Sequence, residues 1–228
     1  MIIAIDGPAG AGKSSVAKEF AKKLNMLYID TGAMYRALTW KALKNDIDLT
    51  DNDKLSELLK CSKLDLIPTK EKDSLKVFID NLDITFEIRE PLISQNVSLV
   101  SSHKDVRELM TTQQRNLAVS KCNVVMDGRD IGTVVFPNAD IKIYLTASVE
   151  ERAKRRLKEQ LEKGISGNLD ELIKEISKRD FSDSNREIAP LKAAEDAIKI
   201  DTTSMDYLAV LQKLIDITIN YQEKLIKV

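Results

Sequence analysis

A glycine-rich segment near the N-terminus has the residue types and spacing of a phosphate-binding loop. Residues 7–14 fit the pattern G-x-x-x-x-G-K-[ST] at every defined position, after a strand-like apolar run and before a helical pattern. Glycines let the backbone wrap around phosphate with inward N–H groups, and the following helix adds the positive end of its dipole. This context favours a nucleoside triphosphate site over an ordinary turn. The predicted binding residues are Gly7, Pro8, Ala9, Gly10, Ala11, Gly12, Lys13, Ser14 and Ser15.

Two side chains of this loop have the chemistry to act on a triphosphate. Lys13 is expected to reach the β- and γ-phosphates, and the hydroxyl of Ser14 is expected to hold Mg²⁺. Asp127 directly follows the apolar run at 124–126, which is the position of the acid near Mg²⁺ in proteins with such a loop. The sequence therefore predicts a metal site formed by Ser14 and Asp127.

The loop after Asp127 continues with charged residues between glycines. Arg129 and Asp130 lie at the end of a predicted strand, where open α/β sheets bind their ligands. Thr31 and Arg36 follow another apolar run, at 27–29, and suit an anionic or polar ligand. For Arg129 and Asp130, the alternative is a salt-bridged turn. For Thr31 and the aspartate before it, the alternative is a helix cap. The strand-end position favours a ligand site at Arg129 and Asp130.

A charged segment at 179–186 is the next candidate. Arg179, Asp183 and Arg186 have spacings that can share one helical face. Two cations beside an acid suit a phosphate next to a hydrogen-bonding base. Solvated ion pairs remain the alternative, because they are common at this spacing.

Three arginines share one side of a highly charged predicted helix at 149–163. Arg152, Arg155 and Arg156 alternate with glutamates, so a purely structural role is one interpretation. In a phosphoryl-transfer enzyme, the sharper interpretation is a mobile lid whose arginines close over the transferring phosphate.

Composition and sequence pattern argue against several other classes of protein. The 228 residues carry a formal net charge of -1, so the broad basic field of a nucleic-acid-binding protein is absent. No apolar run approaches the roughly 20 residues that span a bilayer, and the N-terminus lacks signal-peptide features, so a cytoplasmic protein is expected. Cys61 and Cys122 lack metal-ligand spacing and are expected to be reduced, partly buried thiols. His103 is the single histidine and is expected at the surface.

The elements that must position these residues alternate between strand and helix. Continuous apolar runs followed by helical patterns indicate a parallel sheet covered on both faces, in an α/β fold. Between about residues 64 and 95 the pattern changes to short apolar runs separated by turn residues. Such runs are typical of a small antiparallel sheet, so we expect an inserted β subdomain.

At this point the sequence resembles the bacterial cytidylate kinases, a group of nucleoside monophosphate kinases. The segments that carry the resemblance are 5–8 running into the glycine-rich loop, 30–36, 127–133, and Arg179-Asp180 continuing to Asp183 and Arg186. The resemblance implies one P-loop kinase domain over residues 1–228, with a parallel sheet flanked by helices. It also implies an inserted acceptor-binding subdomain at 62–99 and a helical lid at 150–167.

The resemblance further implies a set of site residues. The catalytic residues would be Lys13, Arg129 and Arg155, with Arg152 and Arg155 joining the loop in binding ATP. The metal site would use Ser14 and Asp127. The acceptor nucleotide would be bound by Thr31, Arg36, Ser98, Arg107, Arg129, Asp130, Arg179, Asp183 and Arg186. Ser98 and Arg107 rest on a weaker motif, for which ordinary helix surface is the alternative.

The implied reaction is transfer of the γ-phosphoryl group of ATP to CMP or dCMP, with Mg²⁺, by a monomer that binds neither nucleic acid nor membrane. The acceptor phosphate is largely deprotonated at neutral pH and needs no strong general base. One alternative is a kinase for another nucleoside monophosphate or for shikimate. The other is a nucleotide-dependent switch, which would carry an N/T-K-x-D motif that is absent here.

Overall fold

The structure is a computed structural model that describes residues 1–68, 75–119, 123–162 and 164–226. The strands are β1 (Ile2–Asp6), β2 (Leu27–Asp30), β3 (Leu64–Pro68), β4 (Leu75–Ile79), β5 (Leu82–Asp83), β6 (Val124–Gly128), β7 (Ile141–Thr146) and β8 (Ile198–Asp201). The α-helices are α1 (Lys13–Lys23), α2 (Thr31–Lys44), α3 (Asn52–Lys60), α4 (Pro91–Val100), α5 (Lys104–Val119), α6 (Val149–Glu162), α7 (Leu169–Asn185) and α8 (Tyr207–Ile226).

The chain folds as two units. The first comprises Met1–Tyr28, Lys121–Asn185 and Ala189–Val228, and the second comprises Ile29–Ser120 and Arg186–Ile188. The first contains the glycine-rich loop, and the second contains the region where the sequence pattern changes.

The first unit is built on the predicted parallel sheet. Its strand order is β2-β6-β1-β7-β8, and β1 pairs in parallel with both β6 and β7. Ile3 and Ile5 of the central strand are fully buried, and Phe20 of α1 and Leu214 of α8 belong to the same apolar cluster. The continuous apolar runs are explained by this burial, because a sheet between helices has no face exposed to water.

The second unit contains the small antiparallel sheet, in the order β3-β4-β5. Ala33 and Ala37 of α2 pack with Val77 and Ile79 of β4. A separate cluster joins α2, α3, α4 and α5 around Leu38. The predicted fold class, a parallel sheet flanked by helices with a small antiparallel sheet, is confirmed. The boundaries 62–99 for the insertion and 150–167 for the lid stay predictions.

Helix α4 ends at Val100, and α5 begins at Lys104. The hydroxyls of Ser101 and Ser102 bond to carbonyl oxygens three residues earlier, and this local bonding competes with helix continuation.

Two expectations about single residues are wrong. Cys61 is exposed instead of partly buried, because it follows the end of α3; Cys122 lies outside the described residues. His103 is half-buried instead of on the surface, and its Nε2 forms a hydrogen bond of 2.8 Å with the carbonyl oxygen of Leu49.

Across the described ranges 1–68, 75–119, 123–162 and 164–226, each helix is too short or too polar to cross a membrane.

Candidate nucleotide-binding site

The glycine-rich loop joins β1 to α1, and its glycines adopt conformations that other residues rarely take. Gly7, Gly10 and Gly12 have φ values of 149°, 74° and 80°. A Cβ atom on Gly7 would lie 1.9 Å from the carbonyl oxygen of Leu145 in β7. The loop is therefore pressed against the sheet at its first residue, and only glycine fits there.

Lys13 is the first residue of α1 and is only 5% exposed. Its ammonium group donates a hydrogen bond of 2.7 Å to the carbonyl oxygen of Pro8 in the same loop. The pKa of Lys13 is lowered to about 7, mainly by burial and also by the nearby cation of Arg129, against the opposing effect of Asp127 and Asp6. An anionic ligand beside this ammonium group would favour its charged form.

Ser14 and Asp127 are in contact, and the metal site expected of them stays a prediction. The hydroxyl of Ser14 donates to Oδ2 of Asp127 at 2.8 Å. The hydroxyl of Tyr28, which the sequence analysis did not select, donates to Oδ1 of the same carboxylate at 2.8 Å. Hydroxyl and carboxylate oxygens are the hard ligands that Mg²⁺ takes together with substrate phosphates, so these residues fit that ion.

Arg152 lies against the loop and not in solvent. Its guanidinium donates to the carbonyl oxygens of Ala147 and Ala9, each at 2.9 Å, and to the carboxylate of Asp180. Asp180 also accepts from the backbone N–H of Ala9 at 3.4 Å. Arg152 is only 3% exposed. Its contacts are with the loop that was predicted to bind ATP.

The other two arginines of α6 also form hydrogen bonds or ion pairs with protein groups. Arg155 donates to Glu151, and its two terminal nitrogens donate to the hydroxyl and the carbonyl oxygen of Thr202, at 3.1 and 2.6 Å. Arg156 forms an ion pair of 2.9 Å with Glu175 of α7. A Cβ atom on Gly12 would lie 4.0 Å from Nη1 of Arg155, so this arginine is also close to the loop.

Asp6, the last residue of β1, is a buried acid that the sequence analysis did not select. Its two carboxylate oxygens accept hydrogen bonds from the backbone N–H groups of Ile131 and Gly132, at 2.8 and 2.7 Å. Burial raises the pKa of Asp6 to about 7, although these two bonds and the charge of Lys13 oppose the increase. Asp6 thereby ties β1 to the loop that carries Arg129 and Asp130.

Four of the predicted acceptor residues lie in the first unit. Nε of Arg129 donates to Oδ2 of Asp183 at 3.0 Å, and Asp183 is 3% exposed. Asp130 is also buried. Arg179 and Asp183 lie in α7 as predicted, but the helix ends at Asn185. The prediction that Arg186 shares their helical face is therefore wrong, since Arg186 follows the end of the helix.

The other five acceptor residues lie in the second unit, and Arg107 is the most enclosed charge among them. Arg107 is 3% exposed, so the alternative of ordinary helix surface is excluded for it. Its Nη1 donates to the carbonyl oxygen of Ser101 at 2.8 Å, and its guanidinium lies 5.4 Å from the centre of the Tyr35 ring. Ser98 is half-buried on α4. Arg186 belongs to the short segment Arg186–Ile188.

Thr31 and Arg36 lie in α2, whose N-terminus is capped by Asp30. Oδ1 of Asp30 accepts from the backbone N–H of Ala33 at 2.8 Å, and Oδ2 accepts from Arg36 at 2.9 Å. The alternative of a helix cap is therefore correct for Asp30. Thr31 is the first helical residue and is 4% exposed.

The chain is similar to known proteins over most of its length. A family model described as Cytidylate kinase matches residues 3–220. A cytidylate kinase of Bacillus subtilis is 55% identical over 214 residues, which cover 94% of each chain. A cytidylate kinase of Shouchella clausii is 56% identical over 215 residues, again covering 94% of each chain.

Among solved structures, the crystal structure of an uncharacterized protein from Eubacterium ventriosum aligns with a TM-score of 0.50. The alignment covers 95% of this chain and 96% of that chain, at 15% sequence identity, so the similarity is one of fold alone. The family model and the two relatives each match more than nine-tenths of the chain. The chain therefore belongs to the cytidylate kinase family.

Proposed function

We propose that this chain transfers the γ-phosphoryl group of ATP to CMP or dCMP, giving ADP and CDP or dCDP. The observation that carries the proposal is the loop at residues 7–14, where Lys13 and the Ser14–Asp127 pair lie together in a chain of the cytidylate kinase family. The family identifies the acceptor, and the loop identifies the donor.

The donor half of the proposed site acts by placing positively charged and N–H groups around the phosphates of the donor nucleotide. The N–H groups of the loop and the ammonium group of Lys13 would bind the triphosphate, and Arg155 would approach the transferring group from α6. Ser14 and Asp127 would hold Mg²⁺, which neutralises charge on the phosphate oxygens when bound. Arg152 and Asp180 would fix the loop at Ala9 through the contacts described above.

The acceptor half needs cations for one phosphate and polar groups for a sugar and a base. Arg36, Arg107, Arg129 and Arg186 are the proposed ligands of the acceptor phosphate and its surroundings. The proposed groups for ribose or base are Thr31, Ser98, Asp130, Arg179 and Asp183. Asp183 already accepts a hydrogen bond from Arg129, so the pair can orient both side chains. The acceptor phosphate oxygen is the nucleophile, and catalysis consists of in-line positioning and charge neutralisation.

The wider context is part of the proposal. We propose a monomer that acts in the cytoplasm and binds nucleotides but not nucleic acid, since the formal net charge is -1. We also propose that residues 62–99 serve as the acceptor-binding insertion and 150–167 as the lid.

A coupled assay of ADP release tests the acceptor directly. The purified chain is supplied with ATP, Mg²⁺ and, one at a time, CMP, dCMP, UMP, AMP or shikimate. We expect the largest kcat/KM with CMP or dCMP. A dominant response to AMP or shikimate would overturn the proposal, and slow turnover with every acceptor combined with tight GTP binding would indicate a switch.

A further inference from the structure

Tyr28 contacts the candidate metal site but belongs to none of the motifs on which the proposed function rests. Its hydroxyl donates to Oδ1 of Asp127 at 2.8 Å, while Ser14 donates to Oδ2 of the same carboxylate at 2.8 Å. The two oxygens of one buried carboxylate therefore each accept from a different hydroxyl. Asp127 is 3% exposed, so bulk water contributes little to fixing its orientation.

The position of the Tyr28 hydroxyl is set by the core of the first unit. Tyr28 lies in β2, and its ring packs against the apolar cluster that contains Ile5 and Phe20. A tyrosine ring has only two side-chain torsions, so a packed ring presents its hydroxyl at a defined place. Asp127 lies in the neighbouring strand β6, within reach of that hydroxyl.

The orientation of the carboxylate matters because its terminal torsion is weakly constrained by itself. The χ2 torsion of aspartate is broad and roughly two-fold, so the carboxylate plane turns unless hydrogen bonds hold it. With Oδ1 held by Tyr28, Oδ2 faces Ser14 and accepts a hydrogen bond from its O–H group. The lone pairs of the Ser14 hydroxyl are then left for a cation.

We propose that Tyr28 is a positioning residue of the Mg²⁺ site: it holds Asp127 so that Ser14 presents its lone pairs to the cation of a bound metal–nucleotide complex. The inference rests on the proposed function, because it assumes such a complex at the loop. It adds a residue from β2 to a site otherwise formed by β6 and α1. Outer partners of metal ligands typically change metal affinity by about 10- to 100-fold when they are removed.

The test measures metal binding without turnover. The chain is mixed with a non-hydrolysable ATP analogue, adenylyl imidodiphosphate, and titrated with Mn²⁺ while free Mn²⁺ is followed by electron paramagnetic resonance. Tyr28→Phe keeps the ring and removes the hydroxyl. We expect it to weaken Mn²⁺ binding by about 10-fold.

Tyr221→Phe is the matched control. Its hydroxyl also donates to an aspartate, Asp140, at 3.2 Å, but this pair is exposed and joins α8 to the residue before β7. We expect its Mn²⁺ affinity to equal that of the parent. The thermal unfolding midpoint and the affinity for the metal-free analogue are measured for all three chains, and both should show that Tyr28→Phe is folded and binds the analogue.

Steady-state kinetics give a second readout. Tyr28→Phe should need a higher Mg²⁺ concentration for half-maximal rate, while its KM for CMP stays at the parental value. Equal Mn²⁺ affinities of parent and Tyr28→Phe would overturn the inference, and so would a changed KM for CMP with unchanged metal affinity. If the parent itself fails to hold Mn²⁺ with the analogue, the proposed function is overturned together with the inference.

Discussion

Arg152 and Asp180 form an ion pair, and both also form hydrogen bonds with the backbone of Ala9. The guanidinium donates to the carbonyl oxygen of Ala9, and the carboxylate accepts from its N–H. The pair joins α6 to α7, and the Arg152 side chain is 4% exposed. The phosphate-binding loop is therefore held by a largely buried charge pair that the loop motif itself does not contain.

Removal of Arg152 should destabilise the fold. In Arg152→Ala, Asp180 loses its cation and two backbone carbonyl oxygens lose a donor. We expect the free energy of unfolding to fall by about 3 kcal/mol, as for other broken buried pairs. Urea unfolding measures it. Arg156→Ala is the control, since it breaks another α6–α7 ion pair that is more exposed, and should cost less than about 1 kcal/mol. Equal costs for the two variants would contradict the structural role of Arg152.

Lys13→Met should abolish turnover and leave the fold intact. Methionine has a similar length but no charge, so the cation for the triphosphate is lost while burial of the side chain becomes easier. Steady-state rates with ATP and CMP measure the first effect, and circular dichroism measures the second. Lys23→Met, at the exposed end of α1, should behave like the parent. Near-normal rates for purified Lys13→Met would refute its catalytic assignment.

Arg129→Ala should reduce turnover by about 100-fold or more, because it removes a positioned donor from the proposed acceptor site. It also leaves Asp183 without its 3.0 Å partner. Initial rates across a CMP concentration series measure the effect. Lys54→Ala removes a surface ion pair with Asp51 and serves as the control, with no expected change in rate. An Arg129→Ala enzyme with parental kcat/KM would exclude Arg129 from the reaction.

Asp6 should make stability depend on pH. Its pKa is about 7 in the folded chain against an ordinary value of 3.8, so the folded state binds the proton more tightly. The resulting stabilisation is complete below pH 3.8 and is lost as the pH rises through 7. Asp6→Asn removes this titration, although it leaves the N–H of Ile131 or Gly132 without an acceptor.

The pH effect is measured as the difference in free energy of unfolding between the parent and Asp6→Asn. Urea unfolding at pH 5 and pH 8 should show that the advantage of the parent over Asp6→Asn shrinks by about 2 kcal/mol at the higher pH. Asp46→Asn, at an exposed position with φ of 52°, should track the parent at both values. An advantage that stays constant or grows with pH would contradict the raised pKa.

Alanine substitutions at Gly7 and Gly164 distinguish the effect of steric overlap from the effect of backbone strain. Gly7 and Gly164 both have positive φ, but a Cβ atom on Gly7 meets the Leu145 carbonyl oxygen at 1.9 Å, whereas one on Gly164 meets nothing within 4 Å. We expect Gly7→Ala to lose nucleotide binding and most of its folded yield. Gly164→Ala should cost only about 1 kcal/mol, from strain. Thermal unfolding with and without ATP compares them, and a well-folded, ATP-binding Gly7→Ala would show that the loop can move away from β7.

The predictable parts of this protein were those encoded by short segments. The loop at 7–14 and the Ser14–Asp127 pair followed from residue types at the ends of strands, because parallel strands bring those ends to one edge. The antiparallel sheet followed from the spacing of apolar runs and turns. The antiparallel pairing of β3 with β4 agrees with that spacing.

The contacts that the sequence did not reveal join distant segments. Tyr28 and Asp127 are 99 positions apart, Asp6 and Ile131 are 125 apart, and Arg152 is 143 from Ala9. In the sequence, Tyr28 is an ordinary strand residue and Arg152 one arginine of a charged helix. Their roles come from what lies opposite them in the fold, which local periodicity does not record.

The central place of β1 in the sheet has a consequence for synthesis on the ribosome. Residues 2–6 are synthesised before their partners β6 and β7, which end at Gly128 and Thr146. At roughly 5–20 residues per second, the nascent strand waits on the order of ten seconds for the second partner. During that interval β1 is an apolar strand with unpaired edges and is open to association with other chains.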